Sequence, residues 1–457
     1  MSATQVLLSR LLFAVILFFC QYAYSQDLWK AEQEFNRIAE KYNFRYKTLM
    51  QTRGVHWSEQ PISAWSLSQA LSEWYGTGKV AVLFYYHESD TLRAWLLDGT
   101  GIQCFVKQSL GEDQLWLIEK KLKDALKVST QSFSRAPTTR GARVMAPVDD
   151  PEYKTGIIDS VSRLLLPVKI SSRLPFYDYL IIVPTHNLGT IPFALLKPLD
   201  DEGYLIDYLA YSIAPNLEEV GNALVKFSNN AYMSGSGFGT RPHPYFESYE
   251  AGEGFQNPLI IGNPAFSNEG EYNFPQLPGA EKEVKRIGDS LQISKVFMHE
   301  EATIDMVRNK APEADLLYFA THGVSSTTDP LDSSFLAFAP GDSSPGYWTA
   351  REIQFTHLSA RLAVLSACQT GLGNAHNAGI IGLTRAFQIA GVDHVIMSLW
   401  NVNDEATADL MVAFITELQT NKDFIPAVAL RNAILKTREK YPDPAHWASF
   451  VVFGIPY

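Results

Sequence analysis

The sequence predicts an α/β protein whose main sheet is mostly parallel and covered by helices on both faces. A smaller α+β lobe with an antiparallel meander precedes it. From residue 258 onward, short apolar runs such as LLYFA and LAVLS alternate with helical segments. Strands that are apolar on both faces are typical of a parallel sheet between two helix layers. Between residues 79 and 110, three strand-like runs are separated only by short turns, which predicts the meander.

Composition and cysteine usage exclude several classes of protein. The chain has 457 residues and a formal net charge of −11, with no basic stripe, so we expect no nucleic-acid partner. Three cysteines without a Cys/His ligand spacing make a structural metal site unexpected. The stretch GSGFG lacks the strand and the Gly-Lys-Ser of a phosphate loop. We therefore expect no metal, no haem, no nucleotide and no other cofactor.

Residues 1–25 are predicted to be a secretory signal peptide. Arg10 precedes an apolar run, and Ala23 and Ser25 are small residues just before Gln26. A positive residue, an apolar run and small residues, in this order, are typical of a cleaved leader. We expect a bacterial protein that is secreted or periplasmic. An uncleaved N-terminal membrane anchor is the alternative.

Two domains are predicted after the leader. Residues 26–150 form the N-terminal α+β lobe, and residues 151–457 form the larger α/β domain. The boundary is placed in the stretch before residue 151 because it is irregular and combines Arg with Ser, Thr, Gly and Pro.

A histidine and a cysteine follow two consecutive predicted strands. His322 comes directly after LLYFAT, and Cys368 comes after the apolar run of RLAVLSAC. Parallel sheets bind ligands beyond the carboxyl ends of their strands, so we expect the two side chains to share one cleft. An imidazole can take the proton of a thiol and convert it into a nucleophile. The sequence therefore predicts His322 and Cys368 as catalytic residues.

The same two strand ends supply candidate oxyanion donors. Gly323 has no side chain to cover its N–H, and the N–H of Cys368 begins a turn into a helix; two such donors can hold a tetrahedral oxyanion. Alternatives remain for each residue. Cys368 could be an apolar core residue or could form a disulfide with Cys104. His322 could be a structural histidine that is bonded to the backbone.

A third strand end carries the candidate substrate-binding residues. HVIMSLW is followed by Asn-Val-Asn and then Asp404. We interpret Asp404 as a group that binds a basic P1 side chain, with Trp400 as a wall of its pocket. The alternative is that Asp404 caps a helix and complements its dipole, because acidic residues are favoured where a helix begins.

The order of these motifs resembles the CHAT-domain family, relatives of caspases and separases. The resemblance covers roughly residues 150–457 and is carried by ATHG, LSACQTGLG, GIIGLTRAF, AGVDHVIMSLWNVNDEATADLM and HWASFVVFG. It implies a caspase-like sheet and, in active members, a cysteine endopeptidase with a His–Cys dyad, here His322 and Cys368. The caspase signature around the cysteine is matched only in Ala-Cys-Gln, since Thr370 precedes the glycine. Members usually carry tetratricopeptide repeats before this domain, and none is visible in this chain.

The predicted function is that of an exported cysteine endopeptidase that cleaves proteins after a basic residue. Its expected partners are a protein or peptide substrate and a regulatory protein. The alternative is a scaffold or sensor module that acts through protein–protein interaction while the dyad is idle. Presence of both His322 and Cys368 favours the peptidase, because a scaffold requires neither residue.

Overall fold

A computed structural model describes the backbone of residues 26–42, 62–76, 78–128, 151–199, 203–221, 254–267, 272–326, 329–342, 344–366, 374–376, 379–400, 404–420 and 424–456. The predicted signal peptide and Cys368 lie outside these residues.

The strands that the structure describes are numbered in chain order. They are β1 (Val80–His87), β2 (Thr91–Asp98), β3 (Gly101–Ser109), β4 (Tyr179–Val183), β5 (Ala210–Ile213), β6 (Pro258–Pro264), β7 (Phe297–His299), β8 (Leu316–Ala320), β9 (Gly323–Val324), β10 (Phe335–Ala337), β11 (Tyr347–Thr349), β12 (Leu362–Leu365), β13 (Asn374–His376), β14 (Gly379–Ile381), β15 (His394–Ser398) and β16 (Phe450–Phe453).

The α-helices of the same part of the chain are also numbered in order. They are α1 (residues 26–42), α2 (Ala64–Tyr75), α3 (Glu112–Leu126), α4 (Pro151–Leu165), α5 (Val168–Ser171), α6 (Leu205–Tyr208), α7 (residues 217–221), α8 (Pro278–Leu291), α9 (Ile304–Lys310), α10 (Ala350–Phe355), α11 (Leu383–Ala390), α12 (Asp404–Thr420) and α13 (Pro426–Lys440).

One sheet of 11 strands crosses the described protein in the order β3-β2-β1-β4-β5-β16-β15-β12-β8-β6-β7. The pairs β1–β2 and β2–β3 are antiparallel, which confirms the meander, and β1 pairs in parallel with β4. The meander therefore extends the main sheet. On one side of the sheet, the parallel pairing continues from β4 through β5 to β16. On the other side, each strand is parallel to its neighbour in the series β15, β12, β8, β6 and β7.

The two parallel halves of the sheet meet at β15 and β16, which pair antiparallel. Because this one pair is antiparallel, the strands of one half run in the opposite direction to those of the other half. The central strands β4, β8, β12, β15 and β16 are buried along their whole length. This agrees with the predicted α/β class, because a strand between two helix layers has no solvent-facing side.

Local sequence features account for the starts of two helices. Ser63 caps α2 through a capping box with Ser66, as a polar residue at this position predicts. In the segment GIIGLTRAF, α11 begins only at Leu383, and the preceding residues Gly379–Ile381 form β14. Gly382 separates the two elements, consistent with the weak helix propensity of glycine.

Candidate active site

The site is built where three parallel strands end at one edge of the sheet. Strands β8, β12 and β15 are direct neighbours and parallel, so their carboxyl ends lie together, as the sequence predicts. Phe319 in β8 pairs with Leu365 in β12, an offset of 46 residues. His322 and Cys368 are separated by the same 46 residues. The structure describes the second strand end as far as Ser366, two residues before the cysteine.

The backbone carbonyl of Pro275 orients the imidazole of His322. The Nε2 atom lies 2.8 Å from this oxygen. A carbonyl oxygen can only accept a hydrogen bond, so Nε2 carries the ring proton when the imidazole is neutral. In that tautomer the lone pair of the ring belongs to Nδ1. Pro275 lies in the loop before α8, and its carbonyl brings this loop into contact with the end of β8.

Two phenylalanine rings enclose His322, which is buried. The ring of Phe274 stacks on the imidazole with 5.1 Å between the centroids, and the ring of Phe266 lies 4.9 Å away. Burial in these apolar surroundings lowers the pKa of His322 below its ordinary value of 6.5, and the bond to Pro275 only partly offsets this. His322 is therefore neutral, and able to accept a proton, at neutral pH.

The backbone on both sides of His322 is held by the small sheet of β9, β10 and β11. The carbonyl of His322 accepts from the N–H of Ala337 at 2.8 Å, and the Thr321 hydroxyl donates to the carbonyl of Ala337. Gly323 is buried in β9 and lies opposite Leu336. The oxyanion role of Gly323 and of the Cys368 N–H stays a prediction, since the cysteine lies outside the described residues.

The third strand end holds Trp400 in the interior of the protein. Its side chain is fully buried, and its indole N–H donates to the carbonyl of Ala445 at 3.0 Å. Asp404 is the first residue of α12, but its side chain lies outside the described part of the structure. The pocket and the helix-cap interpretations of Asp404 both stay open.

Cys104, the cysteine that lies within the described residues, is separated from the candidate site by several strands of the sheet. It is free and buried in β3, and burial raises the pKa of its thiol to about 11. Strand β3 is seven strand positions from β12 in the sheet, or roughly 33 Å at the usual strand spacing. Cys368 lies three residues beyond the end of β12, a reach of about 10 Å at most. A disulfide needs Cα atoms within about 7 Å, so the position of Cys104 disfavours this alternative, while Cys368 itself lies outside the described residues.

In the described part of the chain, no cluster of three or more His, Cys, Asp or Glu side chains has the arrangement of a metal site. Within the same ranges, no helix combines the length and apolar character that a membrane span requires.

Sequence reasoning missed the groups that hold His322. Pro275 acts through its backbone oxygen, which every residue has, so no sequence motif marks it. Phe266 and Phe274 lie in irregular segments that have no hydrophobic period. The sequence FPQLPGAE places apolar and proline residues directly before a helix start. This feature alone could have drawn attention to the loop.

The fold defines the class of protein. A large, mostly parallel sheet flanked by helices is the architecture of caspase-like folds. Residues 158–455 match the CHAT domain. The chain belongs to the CHAT-domain family.

The chain is also similar to two curated relatives and to a solved structure. The chain is 24% identical over 309 residues to Tetratricopeptide repeat protein 28 of Homo sapiens, and 23% identical to its Mus musculus counterpart. Each match covers 60% of this chain but only 12% of the relative. The separase of the Saccharomyces cerevisiae separase–securin complex is similar in structure, with a TM-score of 0.52 and 10% identity. That match covers 86% of this chain and 30% of the separase chain and shows a shared fold.

Proposed function

We propose that this protein is an exported cysteine endopeptidase in which His322 is the general base and Cys368 the nucleophile. One observation carries the proposal: the Pro275 carbonyl and the aromatic rings hold a neutral His322 at the end of β8. The neighbouring strand β12 leads to Cys368 with a matching register offset. The buried His87 and His394 also bond a backbone carbonyl through Nε2, so the cysteine that follows the neighbouring strand is the feature that distinguishes His322 from a structural histidine.

The proposed reaction uses the lone pair of Nδ1. His322 takes the thiol proton of Cys368, and the thiolate attacks the carbonyl carbon of the scissile peptide. The N–H groups of Gly323 and Cys368 stabilise the oxyanion of the tetrahedral intermediate. The imidazolium then donates its proton to the leaving amine, and water hydrolyses the remaining thioester to regenerate the thiol.

We propose a basic P1 residue for the substrate and export for the protein. Asp404 begins the helix after the third strand end and would pair with an arginine or lysine side chain. Residues 1–25 would be removed on export, so a Gln26 N-terminus is the expected result of N-terminal sequencing. The intact N-terminus in the membrane fraction would favour an anchor instead. A regulatory protein partner belongs to the same proposal.

Active-site labelling tests the proposed function directly. The purified protein is incubated with an arginyl acyloxymethyl-ketone probe, and the labelled residue is identified by mass spectrometry. We expect a single label on Cys368 and none in Cys368→Ala or His322→Ala. Cys104→Ala is the matched control, and it should be labelled like the unmodified protein because the Cys104 thiol is buried and its pKa is raised.

Peptide hydrolysis adds a second measurement. The losses in the Cys368→Ala, His322→Ala and double variants should be about equal, because a base and its nucleophile act as one unit. Full turnover by Cys368→Ala would show that the nucleophile assignment is wrong. A folded protein that neither hydrolyses peptides nor takes the label would favour the scaffold. The human and mouse relatives, whose name describes repeats and no activity, are the observation that supports that second candidate.

A further inference from the structure

A buried asparagine lies at the carboxyl end of β6, beside the strand that leads to His322. Gly262 in β6 pairs with Ala320 in β8, so the residue after each of them is just past the last paired position. On β6 that residue is Asn263, and only 3% of it is exposed to solvent. The proposed reaction does not use Asn263, and its place at this edge of the sheet raises the question of its role.

The backbone of Asn263 departs from regular β geometry. The register between β6 and β7 shifts between Gly262 and Pro264, which makes Asn263 the extra residue of a β-bulge. Its φ is +46°, in the left-handed region that asparagine tolerates better than most residues. Bulges are common beside functional sites because they change the direction of a side chain. The strand end is thus shaped to present this one amide side chain.

The Asn263 side chain holds the loop that carries Pro275. The N–H of Leu277 donates to Oδ1 of Asn263 at 2.6 Å. A backbone N–H can only donate, so the oxygen of the amide faces the loop. Leu277 is the second residue after Pro275, whose carbonyl oxygen lies 2.8 Å from Nε2 of His322. One buried side chain therefore fixes the backbone two residues away from the oxygen that orients the imidazole.

A second contact fixes the orientation of the Asn263 amide. Its Nδ2 donates to Oε2 of Glu281 in α8, at 3.5 Å. The same carboxylate lies 3.2 Å from Nε2 of His299 and 2.6 Å from Nζ of Lys285. These two outer partners are about half exposed, so their ion pairs contribute little to stability. The contact with Glu281 matters because it keeps the amide nitrogen on the side of α8 and the amide oxygen toward Leu277.

The loop that Asn263 holds supplies two contacts to His322. Phe274, whose ring stacks on the imidazole, lies directly before Pro275, and Leu277 packs against the same apolar cluster as Phe274. Apolar contacts are not directional, whereas a short hydrogen bond fixes both distance and angle. Without the bond from Leu277, the loop would keep its apolar contacts but lose the contact that sets its exact position.

We propose that Asn263 is a positioning residue that sets the place of the Pro275 carbonyl and the Phe274 ring and, through them, the orientation of His322. The inference rests on the proposed function where it predicts an effect on catalysis, because His322 acts there as the general base. The orientation itself can be measured on the folded protein whether or not it cleaves peptides. Asn263 takes no part in the proposed bond-making steps, so its effect should appear in kcat and not in KM.

The first experiment follows the ring N–H of His322 by NMR, with ¹⁵N introduced in histidine only and the signal assigned with His322→Gln. We expect a slowly exchanging signal, because this proton is buried and bonded to Pro275. Asn263→Gly keeps the left-handed backbone but removes the amide. We expect the exchange of this proton to become about tenfold faster, or its signal to be lost. His87 and His394 also bond backbone carbonyls, and their signals should persist as internal references.

Asn216→Ala is the matched control for the loss of a buried amide. Asn216 is fully buried, and its Oδ1 accepts from the N–H of Glu219 at 2.9 Å. It follows β5, which lies in the other half of the sheet. The substitution therefore removes a comparable bond between a side chain and the backbone, and we expect the His322 signal to stay unchanged.

A rescue variant combines Asn263→Asp with Glu281→Gln. The amide and the carboxylate exchange places, so the new carboxylate can accept from Leu277 and from the new amide. We expect the His322 signal and kcat to resemble those of the unmodified protein. Asn263→Ser is the second loss variant, which decides the question if Asn263→Gly does not fold. Its hydroxyl is too short to reach Leu277, so it should behave like Asn263→Gly.

Peptide hydrolysis should follow the NMR result. We expect kcat to fall about tenfold in Asn263→Gly, because small displacements of a reacting group are costly. KM should change less than about twofold, since the loop contact acts on the reacting imidazole and not on uniform substrate binding. Asn216→Ala and the rescue variant should keep the kcat of the unmodified protein.

The outcomes separate this inference from the proposed function. If Asn263→Gly and Asn263→Ser keep both the His322 signal and kcat, the positioning role is wrong even though the peptidase is active. If the unmodified protein hydrolyses no peptide but the signal is lost only in these two variants, Asn263 positions His322 and the peptidase proposal fails. An equal loss of the signal in Asn216→Ala would overturn the inference, since the effect would then be general destabilisation. A rescue variant that behaves like Asn263→Gly would overturn it as well.

Discussion

The imidazole of His322 donates from Nε2 to the backbone oxygen of Pro275, 2.8 Å away. This bond joins two segments that are 47 residues apart in the chain. It selects the neutral tautomer that leaves the basic lone pair on Nδ1. The Phe274 ring beside Pro275 stacks on the same imidazole, so one short loop sets both the orientation and the basicity of the proposed base.

The pH dependence of peptide hydrolysis should reflect the burial of His322. Because burial lowers its pKa, the ring takes up a proton at a lower pH than an exposed imidazole does, and the acid limb of kcat/KM is expected below pH 6.5. Phe274→Ala should admit water, raise the pKa toward 6.5 and move the acid limb upward. Phe355→Ala removes a ring that is 67% exposed on α10 and should leave the profile unchanged. If the acid limb of kcat/KM does not move in Phe274→Ala, the Phe274 ring is not the cause of the lowered pKa of His322.

Acid should destabilise the protein through a second buried histidine, His394. Burial lowers its pKa from 6.5 to about 4, while its Nε2 bonds to the carbonyl of Ile455. The unfolded chain therefore binds the proton at higher pH than the folded chain does. The stabilisation is complete above pH 6.5 and is lost as pH falls toward 4, on the order of 3 kcal/mol in total.

Urea unfolding at pH 7.5 and 4.5 measures this loss. His394→Gln should be less stable at pH 7.5 but should lose less stability on acidification than the unmodified protein. His357 is exposed, so His357→Gln serves as the control and should keep the full pH dependence. An unchanged pH dependence in His394→Gln would assign the acid sensitivity to other groups.

Substrate specificity distinguishes the two interpretations of Asp404. If its carboxylate binds the P1 side chain, Asp404→Ala should abolish a preference for arginine or lysine in a P1-varied peptide library, because the basic side chain loses its partner. Glu405 is the matched control, an exposed acid in the first turn of the same helix. The other result is that Asp404→Ala and Glu405→Ala lower the melting temperature equally and slightly while the P1 preference stays unchanged. That result would support the interpretation of Asp404 as an acid that complements the helix dipole.

The buried Trp400 should contribute measurably to stability. Trp400→Phe removes the hydrogen bond to Ala445 and part of the buried ring volume, and we expect a loss of about 2 kcal/mol in the free energy of unfolding. Urea denaturation measures this loss. Trp65→Phe, at a site 67% exposed, should change stability by less than about 0.5 kcal/mol. A negligible effect of Trp400→Phe would show that this position is loosely packed.

The sequence alone predicted the class of fold and named His322 and Cys368 as the candidate dyad. Runs that are apolar at every position, such as those of β8 and β12, predict strands that are buried on both faces. This pattern can be recognised from neighbouring residues in the sequence. The positions of His322 and Cys368 directly after such runs predicted their place at one edge. The structure confirms that edge for β8 and β12 as neighbours.

Only the tertiary structure decided which distant groups surround His322 and how the strands are ordered. Nothing in the sequence periodicity indicates that β16 pairs antiparallel with β15, since pairing partners are chosen by packing across the whole chain. The carbonyl of Pro275 likewise reaches His322 through a contact between residues far apart in sequence. A local pattern encodes which residues are buried, while long-range packing determines what they are buried against.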